Sequence, residues 1–342
     1  MKTLIRKLAR EHSLSIEEYE ALLSDPDPEY ARLLAQQAQS VVYGDEIYIR
    51  GLIEIGSFCK NDCLYCGIRR SNRDCCRYRL TKEEILSATE EGYALGFRTF
   101  VLQSGEDEGF SHDFLCDLIR EIKDSHGDCA VTLSLGERSH ESYARLFEAG
   151  ADRYLLRHET ADPVHYGKLH PASQSYWNRM DCLKSLKEIG YQVGCGFMVG
   201  SPYQTRRTLA QDLKFVEEFQ PEMCGIGPFI PHRNTPFRAS PPGDVELTCY
   251  LLSILRLIRP NLLLPATTAL GTLDPMGREK GILAGANVVM PNLTPLRVRG
   301  KYELYDNKLT TGMESAQSIE ELKERMRAIG YRVVVDRGDM KG

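Results

Sequence analysis

Three cysteines carry the clearest chemical signal in this sequence. They are Cys59, Cys63 and Cys66, in the run Cys-Lys-Asn-Asp-Cys-Leu-Tyr-Cys. Three thiolates at this spacing can hold three irons of a cubane 4Fe–4S cluster and leave the fourth iron open. A structural zinc site would need a fourth ligand in closed tetrahedral geometry, and the adjacent Cys75 and Cys76 cannot easily both join one such centre. The triad therefore predicts an iron–sulfur cluster as the metal site.

The other cysteines show no metal-binding pattern. We interpret Cys75 and Cys76 as ordinary loop thiols. The remaining six sit singly in apolar segments and are predicted to be small buried hydrophobic residues: Cys116, Cys129, Cys182, Cys195, Cys224 and Cys249. Eleven cysteines, an odd number, behind an N-terminus that does not resemble a signal peptide, argue against a disulfide framework. We therefore expect reduced thiols and a cytoplasmic protein.

Composition gives no indication of binding to nucleic acid or to a membrane. The 342 residues are 42% hydrophobic and 27% charged, which is ordinary for a globular protein. A net charge of −5 is too mild to predict binding to nucleic acid or to a membrane surface. The most apolar stretch, 251–264, is interrupted by Arg256, Arg259 and Pro260, so no membrane span is expected.

A repeated helix–strand unit forms the framework that must position the cysteine triad. From residue 47 onwards a helix ends at a glycine, a short apolar run follows, and polar residues end the run, as in GFRTFVLQSGE (96–106). Strands are predicted at 47–55, 98–103, 129–134, 153–157, 191–199, 223–228, 262–267 and 286–290. Eight strands that alternate with helices predict an α/β protein with a complete (β/α)8 TIM barrel.

Extensions are expected at both ends of this barrel. Residues 1–45 read as helices that form an N-terminal cover, and 46–306 form the barrel. Residues 307–342 form a short C-terminal extension, with a helix near 318–329 and a strand near 331–335. The extension contains no cysteine.

The polar residues that end the strands should converge at one mouth of the barrel. The cysteine triad directly follows the first strand, and an open iron there could bind the amino and carboxylate groups of S-adenosylmethionine and pass an electron to its sulfonium. Arg157 and Glu159, two apart on a strand, both point into the barrel, whereas His158 faces the helix layer. Opposite charges inside a barrel are costly without a ligand or further partners, so we expect a polar, anionic ligand.

With these residues identified, the chain resembles the radical S-adenosylmethionine superfamily and, within it, the HydE family of FeFe-hydrogenase maturases. The likeness covers about residues 45–310. The matching segments are CLYCGIRRSNRDCCRYRLT (63–81), VLQSGED (101–107), VTLSLGE (131–137), DRYLLRHETADP (152–163), GIGPFIPH (225–232), PATTALGT (265–272) and ANVVMPNLTP (286–295). The resemblance implies an enzyme with a 4Fe–4S cluster and S-adenosylmethionine as cofactors.

The resemblance also implies roles for single residues. Tyr65 and Met223 would lie near the adenine, and Ser104-Gly105-Glu106 stands where the superfamily has Gly-Gly-Glu, which receives the methionine amino group. Glu159 and Arg179 would fix the amino and carboxylate ends of the methionine and, with the triad, form the catalytic set. The implied lining of the substrate cavity is Arg50, Gln103, Thr132, Arg157, Thr267, Thr268, Met290, Tyr302 and Tyr305.

Several of these residues have a second interpretation from their type alone. Arg50 could make a structural ion pair, and Thr267 with Thr268 could satisfy backbone groups. Met223 and Met290 would be core residues without the resemblance.

The implied activity is reductive cleavage of S-adenosylmethionine to a 5′-deoxyadenosyl radical. The family is thought to act on a cysteine-bound iron carbonyl cyanide complex that HydG delivers, with HydF as a further maturase and a ferredoxin or flavodoxin as electron donor. Alternatives are a lysine mutase of the methylornithine synthase (PylB) type and a non-catalytic metal-binding scaffold. A biotin synthase would need cysteines for a second cluster, and no such set is evident. Because the last cysteine is Cys249, an accessory C-terminal cluster is not expected.

Overall fold

The computed structural model describes residues 1–342, except for the side chain of Met313. Parallel strands enclosed by helices form its centre, as the α/β prediction requires. The strands are β1 (Glu46–Ile49), β2 (Gly51–Gly56), β3 (Thr99–Ser104), β4 (Ala130–Ser134), β5 (Arg153–Leu155), β6 (Gln192–Cys195), β7 (Met198–Val199), β8 (Met223–Cys224), β9 (Gly227–Pro228), β10 (Val288–Val289) and β11 (Arg332–Val334).

The strands close into a ring. Six of them pair in the order β2-β3-β4-β5-β6-β8, and β7 pairs with β9 to extend two neighbouring strands. Single bridges join Met223 to Leu263 and Pro265 to Val288, and Val288 also pairs with Tyr48 of β1. The predicted complete barrel is thereby confirmed. Its seventh strand consists of isolated bridges, because Pro265 has no N–H to donate to a ladder.

Helices follow the strands as the sequence predicts. Thr81 and Glu84 form a capping box at the first barrel helix, and Gly190 ends another with φ of 108°, a conformation that glycine adopts without strain. The helices that follow β2 are α4 (Lys82–Ala94), α5 (His112–Ser125), α6 (His140–Glu148), α7 (Pro163–Leu169), α8 (Tyr176–Ile189), α9 (Arg206–Phe219), α10 (Val245–Ile258), α11 (Thr268–Leu273), α12 (Gly277–Leu283) and α13 (Leu296–Arg299).

Both chain ends fold against the barrel. The N-terminal helices are α1 (Lys2–Glu11), α2 (Ile16–Ser24) and α3 (Pro28–Tyr43); α2 packs on α9 and α3 packs on α10. After the barrel come 3₁₀ turns at Gly312–Glu314 and Ala316–Ser318, then α14 (Ile319–Ala328) and β11, which pairs with β1. None of the described helices combines the length and the apolar character that crossing a bilayer requires.

The residues after β11 close the end of the barrel where the strands begin. Arg153, with no exposed surface, donates to Gln192 Oε1 (3.1 Å), Thr99 Oγ1 (2.9 Å) and the Arg337 carbonyl (2.9 Å), and it pairs with Asp339. We call these five residues the floor of the barrel. The mouth, where the strands end, lies opposite.

Candidate functional site

The cysteine triad lies in the loop that leaves β2 at the mouth. Backbone hydrogen bonds fix this loop to two other segments: the N–H of Lys60 donates to the carbonyl of Glu106 (2.9 Å), and the N–H of Gly67 donates to the carbonyl of Leu304 (2.8 Å). The loop is therefore tied both to the turn after β3 and to the chain beyond α13.

The three thiols form a set of donors suited to a metal cluster. Burial raises the pKa of Cys59, raises the pKa of Cys63 to about 12, and raises that of Cys66 well above its ordinary value. A Cys59 thiolate also disfavours ionisation of Cys63, and both disfavour ionisation of Cys66, whereas the guanidinium of Arg179 favours ionisation of Cys63. Cationic irons between the sulfurs would remove this mutual repulsion, so the residues fit a cluster.

The turn after β3 packs directly on the first cysteine. A Cβ placed on Gly105 would lie 2.6 Å from the Cβ of Cys59, so any larger residue would displace the cysteine loop. Next to it, Ser104 Oγ donates to the Gly105 carbonyl (2.6 Å), and Glu106 Oε1 accepts from the N–H of Glu137 (2.9 Å). The structure thus brings the Ser-Gly-Glu turn and the triad together.

Arg179 reaches the same place from α8. It is 7% exposed; its Nε contacts Glu137 Oε1 (2.5 Å), and its Nη1 donates to the carbonyl of Arg157 (2.6 Å). Its Nη2 also lies 3.8 Å from Glu106 Oε1. Glu137 received no role from the sequence, although its position at the end of the VTLSLGE segment marks it as a strand-end residue.

Glu159 sits at the mouth in a strained backbone conformation. Its φ is 64°, in the left-handed region that costs a non-glycine residue about 1–3 kcal/mol. Its N–H donates to the Gly196 carbonyl (3.0 Å), and its Oε2 lies 3.1 Å from Arg157 Nη2, without hydrogen-bond alignment. Glu159 and Arg179 therefore approach the mouth from different elements, each beside its own partner.

Tyr65 contacts a histidine that sequence patterns did not mark. The Tyr65 hydroxyl lies 3.2 Å from His170 Nε2, and the two rings meet edge to face at 5.4 Å. His170 Nδ1 lies 3.0 Å from the Tyr166 carbonyl, so Nδ1 carries the proton and Nε2 accepts. Burial lowers the pKa of His170 to about 3, which keeps this imidazole neutral.

Several inward-facing polar atoms have no hydrogen-bond partner among the described residues. They are Thr132 Oγ1, Arg157 Nε and Nη2, Thr267 Oγ1 and Arg50 Nε. Because buried polar groups are nearly always paired in folded proteins, these atoms fit a polar ligand in the barrel. Gln103 pairs in register with Glu54 and Ser134, which places it inside as well.

Thr268, Tyr302 and Tyr305 are further predicted lining residues. Thr268 Oγ1 donates to Glu314 Oε2 (2.8 Å), as expected of a structural threonine. The Tyr302 carbonyl accepts from Lys308 Nζ (3.0 Å), and burial raises the pKa of both the Tyr302 and the Tyr305 hydroxyl.

Two predicted residues, Arg50 and Met223, make contacts directed towards the floor. Met223 occupies the first position of β8, where it contacts Arg50 Nη1 through its sulfur (2.7 Å). It packs in one apolar cluster with Tyr48 and Leu263, and Met290 packs against that cluster. Arg50 Nη2 also lies 3.4 Å from the carbonyl of Gly338, beyond β11, so Arg50 and Met223 make these contacts on the side away from the cysteine loop.

A buried ion pair near the mouth was not predicted. Glu54 is fully buried on β2, pairs with Lys308, and accepts from Asn292 Nδ2 (3.1 Å). Glu54 could have been noticed as the charged residue in the apolar run GLIEIG. Lys308 lies beyond the predicted barrel and carries no such signal.

A cluster of His232, Glu303 and Asp306 has atoms within 4.8 Å of one another, a spacing that could hold a metal ion. Two contacts oppose that interpretation. The guanidinium of Arg233 lies 2.8 Å from Glu303 and 2.7 Å from Asp306. His232 Nδ1 accepts from the Asn234 N–H (3.1 Å), so its Nε2 carries a proton and cannot ligate a metal. The cluster is a set of ion pairs that joins the chain at Arg233 to the chain at Glu303 and Asp306.

Comparison with known proteins identifies the family. Residues 53–216 match the model of the Radical SAM superfamily. The chain is 45% identical over 308 residues to the [FeFe] hydrogenase maturase subunit HydE of Thermotoga maritima, covering 90% of this chain and 88% of that protein. It is 28% identical over 288 residues to the 3-methylornithine synthase of Methanosarcina acetivorans, covering 83% and 81% of the two chains.

Solved structures share the fold. Methylornithine synthase (PylB) superposes with a TM-score of 0.81 at 23% identity over 97% of both chains. HydG, a maturase of the [FeFe]-hydrogenase, superposes with a TM-score of 0.80 at 23% identity over 97% of this chain and 75% of that one. The cysteine triad, the turn packed on it and the long match to HydE agree, and the chain belongs to the HydE family of radical SAM enzymes, whose cofactors are a 4Fe–4S cluster and S-adenosylmethionine.

Proposed function

We propose that this enzyme acts in maturation of the FeFe-hydrogenase active-site cluster, on a cysteine-bound iron carbonyl cyanide precursor. The 45% identity to a HydE maturase supports this assignment. The observation that carries the chemistry is the contact of Gly105 with Cys59, because it sets the proposed cofactor-binding turn against the cluster ligands.

Within this proposal the residues at the mouth hold the cofactors. Cys59, Cys63 and Cys66 ligate three irons and leave one iron for S-adenosylmethionine. The Ser104–Glu106 backbone accepts the methionine amino group, Glu159 and Arg179 fix the methionine, and Tyr65 packs near the adenine. When bound, the two cofactors together supply a 5′-deoxyadenosyl radical after one-electron reduction. A place for Met223 beside the adenine stays a prediction from the resemblance.

The barrel interior is proposed to hold the substrate. The unpaired hydroxyls of Thr132 and Thr267 and the guanidinium of Arg157 can donate to carboxylate and cyanide groups. The enclosing barrel excludes water and competing hydrogen donors from the reaction. The further proposed lining residues are Arg50, Gln103, Thr268, Met290, Tyr302 and Tyr305.

The proposed partners follow from this role. HydG supplies the iron complex, HydF takes part in the same maturation, and a ferredoxin or flavodoxin reduces the cluster. We place the enzyme in the cytoplasm, because the three cluster cysteines must remain thiols before they bind iron.

A lysine mutase of the methylornithine synthase type is the second candidate. The 28% identity over most of both chains favours it over other radical reactions. Incubation of the reduced enzyme with lysine separates the two candidates, since 3-methylornithine would form only with the mutase.

Electron paramagnetic resonance (EPR) of the anaerobically reconstituted, dithionite-reduced protein tests the core of the proposal. We expect a reduced 4Fe–4S signal that changes when S-adenosylmethionine is added and is absent in Cys63→Ala. Cys76→Ala, a change at an exposed cysteine of the same loop, is the matched control and should retain the signal. A reduced EPR signal of the wild-type protein that does not change when S-adenosylmethionine is added would disprove the radical mechanism.

A further inference from the structure

We infer that His158 and Asp212, buried behind the mouth, are positioning residues that hold Glu159 in the conformation that binds S-adenosylmethionine. This inference rests on the cofactor role proposed above for Glu159. Neither residue faces the barrel interior. His158 points from the strand end into the helix layer, and Asp212 lies on α9.

His158 anchors the chain on one side of Glu159. Its side chain is fully buried, and its Nδ1 accepts from the N–H of Gly196 at 3.3 Å. Because that nitrogen accepts, the proton lies on Nε2, which lies 3.5 Å from Asp212 Oδ1 without hydrogen-bond alignment. The ring also contacts Phe215 of α9, with the ring centroids 4.6 Å apart.

Asp212 anchors the chain on the other side. Its Oδ1 accepts from the N–H of Ala161 at 2.5 Å, and the Ala161 carbonyl accepts from the Tyr176 hydroxyl at 2.8 Å. One carboxylate oxygen therefore lies against the imidazole before Glu159 and accepts from the backbone after it.

Glu159, which lies between these two anchors, has a strained backbone conformation. Glu159 has φ of 64°, and its own N–H donates to the Gly196 carbonyl (3.0 Å), the same residue whose N–H reaches His158. A non-glycine residue stays in the left-handed region only when its surroundings fix it there. The His158–Asp212 pair provides that fixation from a rigid helix, and it aims the Glu159 carboxylate inward.

The protonation states suit a purely structural pair. Burial lowers the pKa of His158 to about 3, with Arg157 and Arg179 adding to the effect. Burial also raises the pKa of Asp212 well above its ordinary value. A neutral imidazole behind the site adds no charge that would compete with Glu159 for its ligand.

The test is the dissociation constant of S-adenosylmethionine on cluster-loaded protein, read from the cofactor-dependent change in the reduced EPR signal. Asp212→Leu removes the acceptor of the Ala161 N–H and should raise this constant about tenfold, the scale on which loss of a supporting hydrogen bond weakens a ligand site. Asp212→Asn keeps an acceptor oxygen and should bind nearly as well as the wild type. His158→Phe keeps the ring shape, removes the acceptor for Gly196, and should resemble Asp212→Leu.

Controls separate positioning from general loss of stability. Leu213→Ala opens a cavity beside Asp212 on the same helix, so it should lower the melting temperature without changing cofactor affinity. The double variant of His158→Phe with Asp212→Leu should bind no more weakly than either single variant if the two residues act as one unit.

Each outcome has a distinct meaning. Unchanged affinity in both Asp212→Leu and His158→Phe, with Glu159→Gln weakened, would overturn the inference and leave the proposed function intact. Unchanged affinity in Glu159→Gln itself would instead contradict the proposed role of Glu159. If Asp212→Leu does not fold, the dissociation constant of S-adenosylmethionine is compared between His158→Phe and Leu213→Ala. A higher constant in His158→Phe alone supports the inference, and equal constants overturn it.

Discussion

Two arginines on the same strand segment show how the mouth and the floor of this barrel differ. Arg153 starts β5 at the floor, and Arg157 follows four residues later at the mouth. Each nitrogen of the Arg153 side chain has a protein partner. In Arg157, Nε and Nη2 have none within the described chain. The difference teaches that, of these two arginines, the one at the mouth retains hydrogen-bonding capacity for a ligand.

Lowering the pH should reduce the contribution of both regions to the free energy of unfolding, and the contribution of the mouth should be lost first and by the larger amount. His158 and His170 both have pKa values lowered to about 3, from an ordinary value of 6.5. Below pH 6.5 the unfolded chain binds protons that the folded chain does not, so the free energy of unfolding falls with pH. We expect a loss of about 2 kcal/mol for each histidine at pH 5.

Denaturant unfolding between pH 8 and pH 5 measures this loss. His170→Gln should reduce the proton uptake on unfolding at pH 5 by about one. The floor should respond only at lower pH. The pKa of Asp339 is lowered to about 2, chiefly by the Arg153 charge acting against burial, so its contribution is lost as pH falls from about 4 towards 2. A flat stability profile between pH 8 and pH 5 would contradict neutral buried histidines.

Removing the acidic residue of the floor should lower the free energy of unfolding without changing the affinity for S-adenosylmethionine. Asp339→Ala removes the acidic partner of buried Arg153 and should lower the free energy of unfolding by about 2 kcal/mol, less than for an enclosed pair because the Asp339 side chain is 40% exposed. Glu320→Ala, which changes an exposed side chain on α14, is the control and should change it by less than about 0.5 kcal/mol. A weaker affinity for S-adenosylmethionine in Asp339→Ala would show that floor and mouth are coupled.

A matched pair of threonine substitutions gives the smallest and sharpest contrast. Thr99 Oγ1 accepts from Arg153 and donates to the Arg337 carbonyl (2.6 Å), so Thr99→Val should cost about 1–2 kcal/mol. Thr267 Oγ1 has no partner among the described residues, so Thr267→Val should be neutral or slightly stabilising. Equal losses in the two variants, measured by urea unfolding, would show that the mouth is as fully paired as the floor.

The sequence predicted the barrel well because its signals are local. Each strand is a short apolar run bounded by a glycine and by polar residues, and this pattern located all eight strands, including the seventh around Pro265. The helix and strand after residue 317 were predicted for the same reason and are confirmed as α14 and β11.

The floor and part of the site could not be predicted this way. The pairing of Arg153 with Asp339 joins residues far apart in sequence, and such a contact leaves no periodic pattern. Glu159 is left-handed, and the N–H of Ala161 just after it donates to Asp212 of a later helix, a contact that no local pattern predicts. Met223 was assigned to the adenine through resemblance alone, and its contact with Arg50 has no signal in the sequence.

The pairing of β1 has a consequence for how the protein folds. Strands β2 to β6 and β8 pair in their order along the chain, but β1 pairs with β10 and β11, which come much later in the sequence. Contacts between such distant segments carry the largest loop-closure entropy and form slowly. Ring closure is therefore expected to be the late step of folding. The turn after β3 can pack on Cys59 while the cavity is still open to incoming iron and sulfide, and the cysteine loop gains its hydrogen bond to the Leu304 carbonyl when the ring closes.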